Sequence, residues 1–228
     1  MVKAVKVVIR IGGSVTASPP NPELIRRYAE LIIDLRRKGH EIAVIVGGGK
    51  LARDFIELAR ELGLSEQEQD ELAISVSRLF AQALAMKVGG YAWRNIPETI
   101  EEAAKILSER GMVIMGGVKP GMTTDTVAAL LASEIGANLI IKATNQEGIY
   151  TRDPQRYPDA KKLDEVSFDE LEKILAENRH KAGIHQIIDP EAARLLREKR
   201  IKTVVVNGFK PENILLAISG VRIGTMIQ

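Results

Sequence analysis

Three glycine clusters stand directly after apolar, β-branched runs of this 228-residue sequence. They are Gly12-Gly13-Ser14, Gly47-Gly48-Gly49 and Gly116-Gly117. Glycine lets the backbone approach a ligand closely, and the free N–H groups and dipole of a following helix favour an anion. If the apolar runs are parallel strands, their carboxyl ends meet at one sheet edge, where such sheets bind ligands. The arrangement therefore favours a phosphate-rich ligand over three unrelated tight turns.

The clusters do not match the familiar single-loop phosphate motifs. Gly47-Gly48-Gly49-Lys50 lacks both the spacing and the hydroxyl of a Walker loop, and no cluster contains the Gly-x-Gly-x-x-Gly of dinucleotide-binding folds. Two separated anion sites suit two phosphorylated substrates that face each other. That is the geometry of phosphoryl transfer, in which the protein mainly positions the groups and neutralises their charge.

Polar side chains accompany the loops. Arg53 lies one turn into the helix predicted to begin near Lys50, and helical side chains lean towards the N-terminus, so its guanidinium can reach an anion at the loop. A solvated surface arginine is the alternative. The hydroxyls and carboxylate of Thr123-Thr124-Asp125 favour a second phosphate site, although helix capping alone would explain them. The polar segment 144–154 suits a purine nucleoside, or equally a hairpin turn with a packed tyrosine.

The composition argues against several other classes of protein. Lys and Arg total 32 against 30 Asp and Glu, a balance that does not indicate nucleic-acid binding. The sequence has no Cys, which excludes disulfides and thiolate chemistry, and its three histidines are too few for a His-rich metal site. We expect His180 and His185 to be structural or surface residues. No apolar run approaches the roughly 20 residues of a membrane span, and the N-terminus does not resemble a secretory signal, so we expect a cytoplasmic protein.

The elements that must position the loops follow from the apolar pattern. Short β-branched runs predict strands at residues 5–11, 41–46, 112–115, 139–143, 203–206 and 225–227. Longer amphipathic stretches predict helices at about 22–38, 50–62, 65–88, 97–110 and 123–135. Residues 152–162, with two Pro breaks, are predicted to form a loop. Alternation of strands and helices predicts one α/β unit, with a mostly parallel sheet covered by helices on both faces.

Together these residues resemble the amino-acid-kinase superfamily and, within it, the archaeal-type uridylate (UMP) kinases. The resemblance covers nearly the whole chain, in order. It rests on Ile11-Gly12-Gly13-Ser14, the stretch from Val46 through Gly47-Gly48-Gly49-Lys50-Leu51-Ala52-Arg53, Met115-Gly116-Gly117, Pro120-Gly121 with Thr123-Thr124-Asp125, Ala143-Thr144-Asn145 to Asp153-Pro154, Lys181-Ala182-Gly183, Ile188-Asp189-Pro190 and Gly224-Thr225.

The resemblance implies a three-layer αβα sandwich, formed as a single domain over residues 1–228, that converts ATP and UMP to ADP and UDP with Mg²⁺. The acceptor site would lie in the N-terminal part and the ATP site in residues 138–228. Arg10 and Arg53 would be catalytic. The ATP side would comprise Gly13, Ser14, Gly49, Arg53, Thr144, Asn145, Tyr150 and Asp153. The UMP side would comprise Gly48, Asp70, Val118, Lys119, Pro120, Gly121, Met122, Thr123 and Thr124. The resemblance implies no protein metal ligand and no nucleic-acid or membrane partner. It implies a homohexamer that takes part in pyrimidine synthesis.

The sequence departs from the family pattern near the site. Arg10 stands where many relatives carry lysine, and arginine keeps the charge but not the compact ammonium group. Glu147 replaces a common Asp, while Val118 and Met122 replace residues that are often polar.

Alternative functions remain at this point. The same fold serves isopentenyl phosphate kinases, which would be expected to use a histidine near the acceptor, and none lies between His40 and His180. It also serves kinases of amino-acid carboxylates and non-catalytic nucleotide sensors or oxyanion-storage proteins. A dehydrogenase-like domain is disfavoured by the missing dinucleotide fingerprint.

Overall fold

A computed structural model describes residues 4–137, 139–152, 154, 156–178 and 187–228. Within these ranges the strands are β1 (Lys6–Ile11), β2 (Glu41–Val46), β3 (Met112–Met115), β4 (Leu139–Thr144), β5 (Ile149–Tyr150), β6 (Lys162–Leu163), β7 (Glu165–Val166), β8 (Lys202–Asn207) and β9 (Thr225–Ile227). The helices are α1 (Gly13–Thr16), α2 (Pro22–Arg37), α3 (Gly49–Glu61), α4 (Glu66–Val88), α5 (Ile100–Arg110), α6 (Thr124–Glu134), α7 (Phe168–Asn178), α8 (Pro190–Lys199) and α9 (Glu212–Ile218).

Seven strands form one sheet in the order β3-β2-β1-β4-β8-β9-β7. The first five are parallel, whereas β9 runs antiparallel to β8 and pairs in parallel with β7. The predicted mostly parallel sheet is therefore confirmed. The loops that follow β1, β2, β3 and β4 all lie at the same edge of this sheet, because the strands point the same way.

The sheet separates two apolar cores. Along β1, Val7, Ile9 and Ile11 pack with residues of α2 and α4, while Val8 packs with residues of α5, α6 and α8 on the opposite face. This alternation follows from the two-residue period of a strand. Helices on both faces complete the expected three-layer αβα sandwich.

Specific residues fix the helix ends. Asn21 caps α2, which begins at Pro22, and Ser65 and Glu68 form the predicted capping box of α4. Several predicted boundaries differ by one residue, and the start of α5 differs by three. This helix begins at Ile100 rather than at 97, because the side chain of Thr99 accepts a hydrogen bond from the Glu102 amide and caps the helix there.

The helix α4 and the turn after it, residues Glu66–Tyr91, are apolar and long enough to cross a membrane by length and composition alone. In the structure this helix lies along the sheet, with Val76, Phe80, Leu84 and Val88 buried in the first core. A long core helix passes the same test, so length and composition alone do not indicate a membrane span here.

Candidate active site

A cavity of about 410 Å³ opens at the carboxyl edge of the sheet. Its lining combines two kinds of residues. The first kind comprises the glycine loops and charged or polar side chains, namely Arg10, Gly13, Ser14, Gly47, Gly48, Gly49, Arg53, Thr124, Asp125, Lys142, Thr144, Asn145, Gln146 and Arg152. The second kind is apolar or aromatic and comprises Ile149, Tyr150, Pro154, Leu171, Ile174, Leu175, Ile187 and Ile188. A ligand with an apolar ring system and an anionic tail suits such a lining.

The first two glycine loops are in direct backbone contact. A Cβ atom on Gly13 would lie only 2.7 Å from the Gly47 carbonyl oxygen and 2.5 Å from the Gly49 Cα. Gly49 itself adopts a φ of +62°, which favours glycine. The hydroxyl of Ser18 joins the loops, since it donates to the Gly13 carbonyl and accepts from the Lys50 amide. The two loops thus form one continuous backbone surface beside the cavity.

Three charged side chains form a cluster behind these loops. The Arg10 Nε lies 2.7 Å from an Asp125 oxygen, and the Lys142 ammonium contacts both Asp125 oxygens. The Arg10 Nη2 also donates to the Thr124 hydroxyl at 2.8 Å. Arg10 and Lys142 are neighbours because β1 and β4 pair in the register that sets these two residues side by side. The cluster carries two positive charges and one negative charge.

Burial dominates the electrostatics of this cluster. Desolvation, reinforced by the positive charge of Arg10, lowers the pKa of Lys142 to about 8. Burial alone would raise the pKa of Asp125, but Arg10 and Lys142 outweigh it and hold that pKa below its usual value. Asp125 is therefore ionised at neutral pH.

The third glycine loop is held by α4. The Ser77 hydroxyl accepts from the Gly117 amide, and the Arg78 guanidinium donates to the carbonyls of Gly117 and Val118 at 2.9 and 3.0 Å. Asp70 accepts from the Gly121 amide at 2.7 Å. The fixed loop begins next to the cavity, since β3 is the neighbour of β2 in the sheet.

The residues expected on the UMP side occupy this loop and its support rather than the wall of the 410 Å³ cavity. Among them only Gly48 and Thr124 line that cavity. Val118 and Met122 pack against the second core, which accounts for apolar side chains at these two positions. Asp70, Lys119, Pro120, Gly121 and Thr123 complete the adjoining surface.

Thr123 and Thr124 have different hydrogen-bonding roles. The Thr123 hydroxyl donates to Asp189 at 2.6 Å, and its oxygen accepts from the Asp125 and Thr126 amides as the cap of α6. The oxygen of Thr124 accepts from Arg10, which leaves its hydroxyl proton available for an oxygen in the cavity. Thr124 can therefore donate to a phosphate, whereas Thr123 orients the start of α6.

Asp189 is a residue that the sequence analysis matched to the family without giving it a role. It caps α8 by accepting from the Ala192 amide, and it also accepts from the hydroxyls of Thr123 and Thr126 on α6. In the sequence, the Asp189-Pro190 pair indicates this capping role, because Asp before Pro is typical of a helix start.

The residues expected on the ATP side are brought together, as far as they are described. Gly13, Ser14, Gly49, Arg53, Thr144, Asn145 and Tyr150 line the cavity. Asp153 lies outside the described residues, as do His180, His185 and the Lys181-Ala182-Gly183 motif. Glu147 accepts from the Asn207 side chain at 2.7 Å. The segment 144–154, which suited either a nucleoside or a hairpin turn, includes β5, and β5 pairs with β6. Tyr150 lines the cavity, and the nucleoside site stays a prediction.

The fold and the paired glycine loops define a class of protein, and a family comparison agrees with it. Residues 5–207 match the model of the amino acid kinase family, and the chain belongs to that family. The uridylate kinases of Methanothermobacter thermautotrophicus and Methanocaldococcus jannaschii are each 40% identical to it, over 97% and 98% of this chain and 98% and 99% of theirs.

Solved structures show the same relationship. The crystal structure of uridylate kinase from Archaeoglobus fulgidus superposes with a TM-score of 0.89 at 39% identity, covering 98% of this chain and 100% of that one. UMP kinase from Bacillus anthracis shares the fold, with a TM-score of 0.80 at 20% identity over 98% of this chain and 95% of that one.

Proposed function

We propose that this protein is a uridylate kinase, which transfers the γ-phosphoryl group of ATP to UMP and releases ADP and UDP. The observation that carries the proposal is the cavity whose lining combines glycine loops, cationic side chains and apolar residues, next to a further loop between β3 and the start of α6. The full-length similarity to proteins named uridylate kinase supports UMP as the acceptor.

The reaction requires positioning and charge neutralisation more than covalent chemistry. The apolar residues of the lining would accommodate the adenine base, and the backbone of the loops at Gly13 and Gly49 would face the triphosphate. Arg10 and Arg53 supply positive charge where the two phosphate groups meet. No general base is needed, because the phosphate of UMP is already ionised at neutral pH. The acceptor site thus belongs to the N-terminal part, and the ATP site draws on residues after 138, within one domain.

We propose that Mg²⁺ enters the site as Mg·ATP. Of the described residues that line the cavity, Asp125 is the one carboxylate, and Arg10 and Lys142 already hold it. No free carboxylate is therefore left among these described residues, and the phosphate oxygens and water would supply most ligands of the cation, a common form of Mg²⁺ binding. The metal would offset phosphate charge, while the protein backbone and Arg53 hold the phosphates.

A coupled assay of ADP release tests the function. Mg·ATP is offered with UMP, CMP, dUMP, AMP and isopentenyl phosphate, and we expect turnover to be fastest with UMP. If only isopentenyl phosphate were phosphorylated, the proposed acceptor would be wrong, but the proposed phosphoryl transfer would stand. ATP binding without turnover on any acceptor would contradict the kinase and favour a nucleotide sensor.

We also propose that the chain assembles into a homohexamer built from dimers. On α3, Leu51, Phe55, Leu58 and Leu62 recur at intervals of four, three and four residues, and the last three are 37, 47 and 67% exposed. Such an exposed apolar stripe indicates an interface, and a two-fold axis would set it against the same stripe of a second copy. Sedimentation velocity is expected to give the mass of six chains; a monomer would contradict this.

A cytoplasmic location and a role in pyrimidine nucleotide synthesis belong to the same proposal, since both substrates are nucleotides. Fractionation of the source cells tests the location directly: the kinase activity is expected in the soluble cytoplasmic fraction.

A further inference from the structure

Lys142 is a charged residue in the middle of an apolar, buried strand. Its side chain is 6% exposed, while its neighbours Ile141 and Ala143 are fully buried in the first core. Lysine is almost never fully buried unless it is paired, so its position requires an explanation. The expected site residues do not include it.

We propose that Lys142 is a positioning residue for phosphoryl transfer: held against Asp125, it balances that carboxylate and leaves one edge of the Arg10 guanidinium free to face the glycine loops. The inference rests on the proposed kinase function.

The geometry of Arg10 supports this role. Its Nε lies 2.7 Å from an Asp125 oxygen without a hydrogen bond, and its Nη2 donates to Thr124. The remaining Nη1 lies 3.0 Å from where a Cβ of Gly12 would be, so it sits against the first glycine loop. A guanidinium that pairs with a carboxylate through two nitrogens has less left for a phosphate. Lys142 contacts both Asp125 oxygens and therefore competes with Arg10 for that carboxylate.

The charge balance points the same way. Lys142 is faced by Arg10 from β1, by Asp125 from α6 and by Asp189 at the start of α8. With Lys142 protonated, the Arg10–Asp125–Lys142 cluster carries one net positive charge beside the phosphate loops. With Lys142 neutral, Arg10 and Asp125 cancel. A positive cluster in a buried site attracts the phosphates far more strongly than it would in water.

The pH dependence follows from the same groups. Burial and Arg10 lower the pKa of Lys142 to about 8, so the positive cluster is present below that pH and is lost as pH rises through it. Because kcat/KM reports the free enzyme, kcat/KM for ATP is expected to decline above about pH 8.

The experiment compares Lys142→Met and Lys142→Arg with the unaltered chain between pH 6 and 10. Lys142→Met is expected to lower kcat at pH 7 by about ten- to a hundredfold, with KM for UMP within about twofold, and to remove the alkaline decline. Lys142→Arg is expected to keep more activity than Lys142→Met and to move the decline above pH 9, since arginine stays protonated. Lys6→Met, on the exposed start of β1, is the matched control and is expected to leave kcat unchanged.

Two further measurements separate this role from stability and from the proposed function. Thermal unfolding identifies any variant that fails to fold, and Asp125→Asn added to Lys142→Met should restore part of kcat by removing the unbalanced carboxylate. Calorimetric binding of Mg·ATP across the same pH range needs no turnover, so it tests Lys142 even if UMP proves not to be the acceptor. A folded Lys142→Met variant with unchanged kcat, or with the same pH dependence of ATP binding, would overturn the proposal.

Discussion

Replacing Arg10 with alanine is expected to lower kcat with UMP by about a hundred- to a thousandfold, the usual effect of removing one pre-positioned donor from a developing charge. KM for UMP should change less, because α4 fixes the acceptor loop at Gly117, Val118 and Gly121, and Arg10 contacts the expected UMP side only through the Thr124 hydroxyl. Steady-state kinetics with each substrate varied in turn measure both quantities.

Two controls distinguish a catalytic role from a structural one. Arg10→Lys keeps the charge but cannot contact Asp125 and Thr124 together through a guanidinium fork, so an intermediate kcat is expected. Arg37→Ala removes an exposed guanidinium that meets Tyr91 and should leave kcat unchanged. If an Arg10→Ala variant folded and kept full turnover, Arg10 would have no catalytic role.

Much of the fold was predictable because local signals agreed. The limits of β2 and β3 match the predicted 41–46 and 112–115, since Gly39 and Gly111 mark turns before strands that are apolar, apart from Glu41 at the start of β2. The two-residue strands β5, β6 and β7 were not predicted. Segments that short have no period of their own and form only where a partner strand is supplied by distant sequence.

The candidate site was predictable only where it lies in continuous motifs. The glycine loops and Arg53 follow from local spacing. The contact between Lys142 and Asp125 depends instead on the register of β1 and β4 and on the position of α6 against these strands. A lone lysine within an apolar strand was visible in the sequence, but its partner was not. Asp189 is similar, because its contact with Thr123 spans 66 residues.

Gly13→Ala is expected to disrupt the site strongly. The added Cβ would fall inside van der Waals distance of three backbone atoms, on Gly47 and Gly49, none of which is a flexible side chain. Overpacking of this kind costs about 1–3 kcal/mol of unfolding free energy or more. The loops can avoid the clash only by separating, and a shift of about 1 Å in groups that hold the phosphates lowers kcat roughly a hundredfold. Denaturant unfolding and kinetics, both at a temperature where the variant is folded, measure the two effects.

Gly90→Ala is the matched control for that substitution. A Cβ at this exposed position meets no atom within 4 Å, and the backbone is not in the positive-φ region that favours glycine. The same added methyl group should therefore leave the free energy of unfolding nearly unchanged and kcat within about twofold of its value in the unaltered chain. If Gly13→Ala behaved like Gly90→Ala, the two glycine loops would not form the shared phosphate-binding surface, and the anion in the cavity would have to be held by Arg10 and Arg53 alone.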